Sequence, residues 1–303
     1  MSRTPAGLLN NAPLLLVMVT LFWGGNAVAG KLAVGRVSPL LLTEFRWVIT
    51  GSILLLVGRH HLRRDWPVIR ENLPKLFTMG LTGFALFNFF LYSALVHTTA
   101  INSTIIQAAM PMFIFILSFV VFRVATHWAQ ALGYSVTLIG VLLVALQGNL
   151  TQLTGIEVNY GDLLMVIAAF IYSAYSVSLQ AKPDIHWVSQ LLVMAISAAL
   201  ISIPFVIYEH WSGALIFPST PEAWGVVLYT AIFPAMLAQG LFIKAVGLTS
   251  PNRAGLYLNL VPIFGAILAV LILGEAFRLY HAIALVLVIG GIYLAQKLAG
   301  RVG

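Results

Sequence analysis

Two charges stand inside one apolar stretch of this chain, Glu44 and Arg46 in Leu41-Leu42-Thr43-Glu44-Phe45-Arg46-Trp47-Val48-Ile49. Ionisable side chains are costly in hydrocarbon, so those kept there are candidates for pairing, solute binding or proton carriage. Two residues apart on a helix, they point to nearly opposite faces and are not expected to pair. Arg46 lies about 12 Å into its helix at 1.5 Å per residue. It either joins a buried pair or bonds helix-end carbonyls, both structural roles, or it attracts a solute carboxylate. Glu44 and Glu275 are candidate proton carriers, with Glu275 at a helix end and read as solvated.

Uncharged polar side chains accompany them. Asn88 and Tyr92 are four apart and share a helix face. Asn102 and Gln107 precede Pro111. Tyr172, Tyr175 and Ser176 form an i, i+3, i+4 set, Gln239 stands alone, and Tyr257 and Asn259 precede Pro262. For any one of these, a hydrogen bond between helices worth about 0.6 kcal/mol is the plainer explanation. Amides and tyrosines recurring at matched places favour a shared cavity for the group. The expected lining is Trp23, Asn88, Tyr92, Gln107, Tyr175, Gln239 and Tyr257. Aromatic walls there would stack on an apolar or aromatic solute. Pro111 and Pro262 are expected hinges or kinks, because proline removes a backbone donor and leaves an earlier carbonyl unpaired.

Other chemistry has no residues to carry it. There is no cysteine, which excludes disulfides, thiolate catalysis and cysteine-held metal. No HExxH, GxSxG or phosphate loop occurs. His60 and His61 fall in a basic run and read as solvated. No enzyme, metal or organic cofactor is expected.

The elements that must position these residues follow from composition. The chain has 303 residues, 60% hydrophobic and 8% charged, with net charge +7. Soluble domains are about 45–50% apolar and about 25% charged, so the chain is expected to be an all-α integral membrane protein. Ten stretches have the roughly 20 apolar residues needed to span: 12–33, 38–57, 75–96, 100–122, 127–147, 160–180, 187–208, 224–246, 251–273 and 279–299. The longer connections are 58–74, 148–159 and 209–223. With both termini cytoplasmic, Arg3, Arg59, Arg63, Arg64, Arg70, Lys75, Arg123, Lys182, Lys244, Arg253, Lys297 and Arg301 fall inside. Only Lys31, Arg36 and Arg278 fall outside, rimming an outer mouth; that asymmetry is the positive-inside pattern. Ala27-Val28-Ala29 imitates a signal cleavage site, but the run before it is longer than a signal core. It reads as a retained first helix.

The second half repeats the first. Adding 151 carries Pro111 onto Pro262, Phe113 onto Phe264, Leu117 onto Leu268, Gly140 onto Gly291 and Asn88 onto the amide Gln239. Five helices per copy is odd, so the copies, 1–150 and 151–303, enter from opposite faces. Ten transmembrane helices in two inverted five-helix repeats is a plan of secondary transporters, with the substrate site near the midplane. The partners expected are a small-molecule substrate and the lipid bilayer, with no nucleic acid, and the working unit is a monomer.

Specific residues resemble a known family. Leu21-Phe22-Trp23-Gly24-Gly25-Asn26, Thr43-Glu44-Phe45-Arg46-Trp47, Val261-Pro262-Ile263-Phe264 and Leu273-Gly274-Glu275 resemble the EamA-type branch of the drug/metabolite transporter superfamily. The likeness covers nearly the whole chain and is greatest to the bacterial YddG-type aromatic amino acid exporters. Val124 stands where Glu275 would map in the first half, a departure from the pattern. The resemblance implies a bacterial cell inner membrane protein that exports aromatic and other neutral amino acids by alternating access. A multidrug exporter of lipophilic compounds is the alternative.

Overall fold

The structure is a computed structural model and describes residues 10–123, 128–148, 159–248 and 257–299. Helices α1 (Ala12–Ala33), α2 (Pro39–Glu71), α3 (Leu73–His97), α4 (Ala100–Val121), α6 (Tyr160–Ala181), α7 (Trp187–Trp211) and α8 (Pro221–Leu248) are long and apolar enough to cross a membrane. Three further apolar helices are shorter among the described residues: α5 (Ala131–Ala145), α9 (Leu260–Leu273) and α10 (Leu279–Ala295). The expected start of the ninth span, 251–256, lies outside the described residues. No strand occurs among them.

Helix starts follow local chemistry. The side chains of Asn11, Thr99, Asn159 and Thr220 accept backbone N–H bonds at the starts of α1, α4, α6 and α8, relieving the donors that every helix leaves unpaired. Pro13, Pro39 and Pro221 sit in first turns, where a missing N–H is harmless.

The connection expected over 58–74 is instead helical as far as Glu71. α2 continues through Arg59, Arg63, Arg64 and Arg70 to Glu71, a helix of 33 residues. Arginine and leucine are good helix formers outside the bilayer as well as within it. The extension also has partners: Val188 of α7 packs against Gly58, and the Asp65 carboxylate accepts the His186 N–H at 2.9 Å.

α4 is broken at Ala108–Ala109, and a turn at Leu258–Asn259 precedes α9. Pro111 and Pro262 therefore stand in the first turns of fresh helical stretches. Each interruption lies in the turn before its proline, where proline's missing N–H removes a helical bond. Further interruptions, not foreseen, are π turns in α3 at Leu81–Leu86, in α8 at Ala231–Leu237 and in α9 at Ala269–Leu273. The 151-residue offset carries the first onto 232–237. Pro234 lies inside the second, where a wider turn accommodates its missing N–H.

Packing pairs equivalent helices. α5 runs antiparallel to α10: a Cβ on Gly133 would lie 2.6 Å from Gly291 O and Ala295 N, and one on Gly140 would lie 3.0 Å from Ala284 O. Subtracting or adding 151 converts the Gly133–Gly291 contact into the Gly140–Ala284 contact. Thr137 Oγ1 reaches Val288 O, 151 positions away, at 3.5 Å. α2 likewise packs on its equivalent α7, and other contacts come in offset-related sets, α3 on α6 with α1 on α8, and α1 on α9 with α4 on α6. Small residues allow this close approach, which replaces the hydrophobic drive that lipid does not supply. α1 begins at one face of the bundle, the near face, and ends at the far face.

Candidate functional site: a buried arginine in an aromatic lining

Arg46 is 5% exposed. Its Nη1 donates to Asn26 Oδ1 of α1 at 2.7 Å and to Tyr92 Oη of α3 at 2.6 Å. Tyr92 Oη also donates to Asn26 Oδ1 at 3.0 Å, closing a triangle across three helices. The absence of a side chain at Gly30 makes room for this, since a Cβ there would lie 2.8 Å from the Tyr92 ring. The guanidinium sits 5.1 Å from the Trp47 ring centroid, a distance at which the ring face attracts a cation. These partners are all neutral. Arg46 Nε has no hydrogen-bond partner among the described residues. A buried charge held only by neutral groups retains a large desolvation penalty that an anion would relieve.

Aromatic rings continue from this point. Trp47 stacks on Phe84 with centroids 4.2 Å apart, Phe84 meets Tyr175 edge-on at 6.0 Å, and Tyr175 meets Tyr172 at 5.3 Å. The Tyr175 ring occupies the place a side chain on Gly83 would need. Side chains also occupy carbonyls at the π turns, where the ordinary ladder is displaced. Trp47 Nε1 and Asn88 Nδ2 donate to Phe84 O at 3.1 and 2.7 Å. Thr50 Oγ1 and Trp23 Nε1 donate to Ala231 O and Pro234 O at 2.9 and 3.2 Å.

Among the expected lining, Tyr92, Asn88 and Tyr175 thus stand in one buried chain with Arg46. Gln239 lies beside Tyr172, at the end of that chain. Trp23 is half-buried, 5.5 Å from Phe242, and Phe242 packs with half-buried Tyr257 in an apolar cluster containing Leu15 and Leu16. Gln107 is half-buried at the break in α4. Glu44 is half-buried, with Oε2 lacking a partner among the described residues. It stands seven positions before Gly51, whose Cβ would meet Ala195 and Ile196 of α7 at 3.9 Å, so it lies on the α7 side of α2.

At the far face, carboxylates and a lysine tie helix ends together. Glu275 accepts from the backbone N–H groups of Ala100 and Ile101 at 2.8 and 3.0 Å, capping α4. Glu275 stands at a helix end, half-buried and lining a cavity, and these bonds give it a capping role besides. Glu209 caps α2 in the same way, accepting from Ser38 Oγ at 2.6 Å and from Leu41 N at 3.2 Å. Lys31 Nζ donates to the carbonyls of Leu95 and Thr98 at the end of α3, at 2.8 and 2.6 Å. Buried Asp162 accepts from Thr98 Oγ1 and Asn102 Nδ2, and His281 Nε2 lies 3.0 Å from Asn102 Oδ1. Lys31, Glu275 and Arg278 line a far-face cavity of about 410 Å³.

Both halves of this arrangement match one family description. The EamA-like transporter family is matched over residues 10–146 and again over 159–296. The chain belongs to the EamA-like transporter family. This EamA-like protein is 30% identical to the uncharacterized transporter YetK of Bacillus subtilis, over 89% of this chain and 82% of that one. An S-adenosylmethionine/S-adenosylhomocysteine transporter of Chlamydia trachomatis is 26% identical, covering 87% and 82% of the two chains. A solved crystal structure superposes with a TM-score of 0.63 at 23% identity, covering 96% of this chain and 98% of the other, and shares the fold. The EamA-like chain is thus a multi-pass membrane transporter with a two-repeat fold, whose partners are a small molecule and the bilayer.

Several residues of this EamA-like site were not singled out from the sequence: Asn26 as the Arg46 partner, Phe84 at the π turn, and Glu209, Asp162 and His281 at the far face. Asp162 alone carries a local signal, an acid in the first turn of a helix capped by Asn159. The Glu275 cap has a measurable consequence. Glu275→Ala orphans two N–H donors and is expected to cost about 1–2 kcal/mol. Amide exchange at residues 100–103 should accelerate while exchange in α7 stays unchanged.

Proposed function

We propose that this transporter exports amino acids, aromatic ones foremost, across the bacterial inner membrane, with both termini in the cytoplasm. The observation that carries the proposal is the buried Arg46 charge, held only by neutral partners and facing an aromatic lining. A solute carboxylate supplies the missing countercharge, and a charge-assisted bond to guanidinium contributes about 1.5–3 kcal/mol. Trp47, Phe84, Tyr172 and Tyr175 pack into an aromatic wall on which a planar side group could stack once the halves move apart. Amino acids with large planar groups combine those two features, and so do the two compounds named for the chlamydial relative.

The proposed working cycle is alternating access between two inverted five-helix halves, ten spans in all. The antiparallel α5–α10 pair, its offset-related glycine contacts and the matched π turns support that inversion. The Arg46 cluster draws on both halves, since Thr230 of α8 lies beside Tyr92. Rocking the halves would therefore remodel the site. At the far face the caps by Glu209 and Glu275 tie the ends of helices together, so they are contacts that such rocking would strain.

One observation favours a second reading, a multidrug exporter of lipophilic cations: the unpartnered carboxylate oxygen of Glu44. On that reading Glu44→Gln abolishes drug efflux and amino acid flux is absent. The test of the first reading is uptake of labelled phenylalanine and tryptophan into liposomes containing only the purified protein, with and without a pH gradient. Saturable flux above protein-free liposomes is expected. Flux equal to that of empty liposomes for several amino acids would overturn the proposal.

A further inference from the structure

Resting on the reading of Arg46 as the carboxylate anchor, we infer that Asn88 is the specificity-determining acceptor for the solute's α-ammonium group. The site thereby takes α-amino carboxylates in preference to plain carboxylates.

Asn88 is 1% exposed, and its Oδ1 has no hydrogen-bond partner among the described residues. Its orientation is not arbitrary. The other end of the amide meets Phe84 O at 2.7 Å, and a carbonyl only accepts, so the nitrogen must face it. The free end is then an acceptor. A buried acceptor left empty costs about as much as a lost hydrogen bond, and the group that satisfies it must donate. Arg46 Nε, the other unpartnered atom nearby, is a donor that attracts negative charge. The pair is thus complementary to a solute carrying one anion and one N–H donor.

Their placement suits a single small head group. Arg46 bonds Tyr92, and Asn88 lies one turn before Tyr92 on the same face of α3. The neighbouring Trp47 donates to the same Phe84 carbonyl as Asn88, so α2 and α3 are pinned together on both sides of the amide. A carboxylate at the level of Tyr92 and an ammonium at the level of Asn88 place the solute along α3. The ammonium then stands beside the Phe84 and Tyr175 rings, whose faces attract a cation. No carboxylate is required to bind it, which fits the neutral character of the partners found around Arg46.

The test compares two matched pairs of probes: phenylalanine with 3-phenylpropionate, and leucine with 4-methylpentanoate. Binding to the purified full chain is measured by ligand-induced thermal shift and by quenching of tryptophan fluorescence. In the unaltered protein each amino acid should bind roughly tenfold or more tightly than its deaminated partner. In Asn88→Leu that advantage should vanish, the two members of each pair binding alike. Asn88→Thr, whose hydroxyl can still donate to Phe84 O four positions earlier but which lacks the amide oxygen, should likewise lose the advantage and serves if the leucine variant fails to fold. Equal binding within each pair in the unaltered protein, or an advantage that survives in both variants, would overturn the role of Asn88 while leaving Arg46 as anchor. No binding of any of the four probes would overturn the Arg46 reading, and this inference with it.

Discussion

Replacing Arg46 by Gln is expected to abolish transport and to leave the protein at least as stable as before. These two outcomes rarely go together. Removing one member of a buried ion pair typically destabilises by about 3–5 kcal/mol, because the partner is left charged and alone. Arg46 has no such partner among its described bonds, only Asn26 and Tyr92. Glutamine can still donate to Asn26 Oδ1, and the desolvation penalty of the cation disappears. Thermal stability should therefore hold or rise. Binding of carboxylate solutes should fall by about 10- to 150-fold, the loss of one charge-assisted hydrogen bond or slightly more. Arg46→Lys should recover little, because a point charge on a flexible stem does not reproduce the guanidinium fork. Unchanged affinity together with a marked loss of stability would make Arg46 a structural residue.

The second large effect is expected at the α5–α10 contact. A side chain on Gly291 would begin 2.5 Å from Gly133 O and 2.7 Å from Thr137 N. Both are backbone atoms, so no rotamer change makes room and the helices must move apart. Overpacking of this kind costs about 1–3 kcal/mol, and Thr137, Val288 and Ala284, all buried, move with it. Gly291→Leu should lower the thermal midpoint by on the order of 5–10 °C. Gly290→Leu is the matched control, since nothing lies within 4 Å of a Cβ there, and it should change stability by less than about 0.5 kcal/mol. Equal effects of the two substitutions would remove the α5–α10 contact from the account of the fold.

Hydropathy made the helices legible because lipid demands long apolar runs whatever their packing. It did not show how far α2 runs, since the arginines that leave the bilayer after Gly58 are still good helix formers and α7 gives them something to rest on. The 151-residue repeat was legible in Pro111, Pro262, Gly140 and Gly291 because those residues serve backbone geometry, which the two copies share. Arg46 stood out as a lone deep charge. Its partner Asn26 did not, because twenty positions of chain separate them and only the crossing of α1 and α2 brings them together. The Glu275 cap was hidden for the same reason, 175 positions from the N–H it accepts. The π turns are shifts of hydrogen-bond register, to which residue polarity is blind; Pro234 and Gly83 were their only marks.

The central claim is that the buried charge on α2 is neutralised by the cargo. A structure of the protein with phenylalanine bound tests it most directly. The carboxylate should lie within about 2.7–3.0 Å of Arg46 Nε, with the ring against Phe84 or Tyr175. A ligand lodged elsewhere, with Arg46 still bonded only to Asn26 and Tyr92, would contradict it.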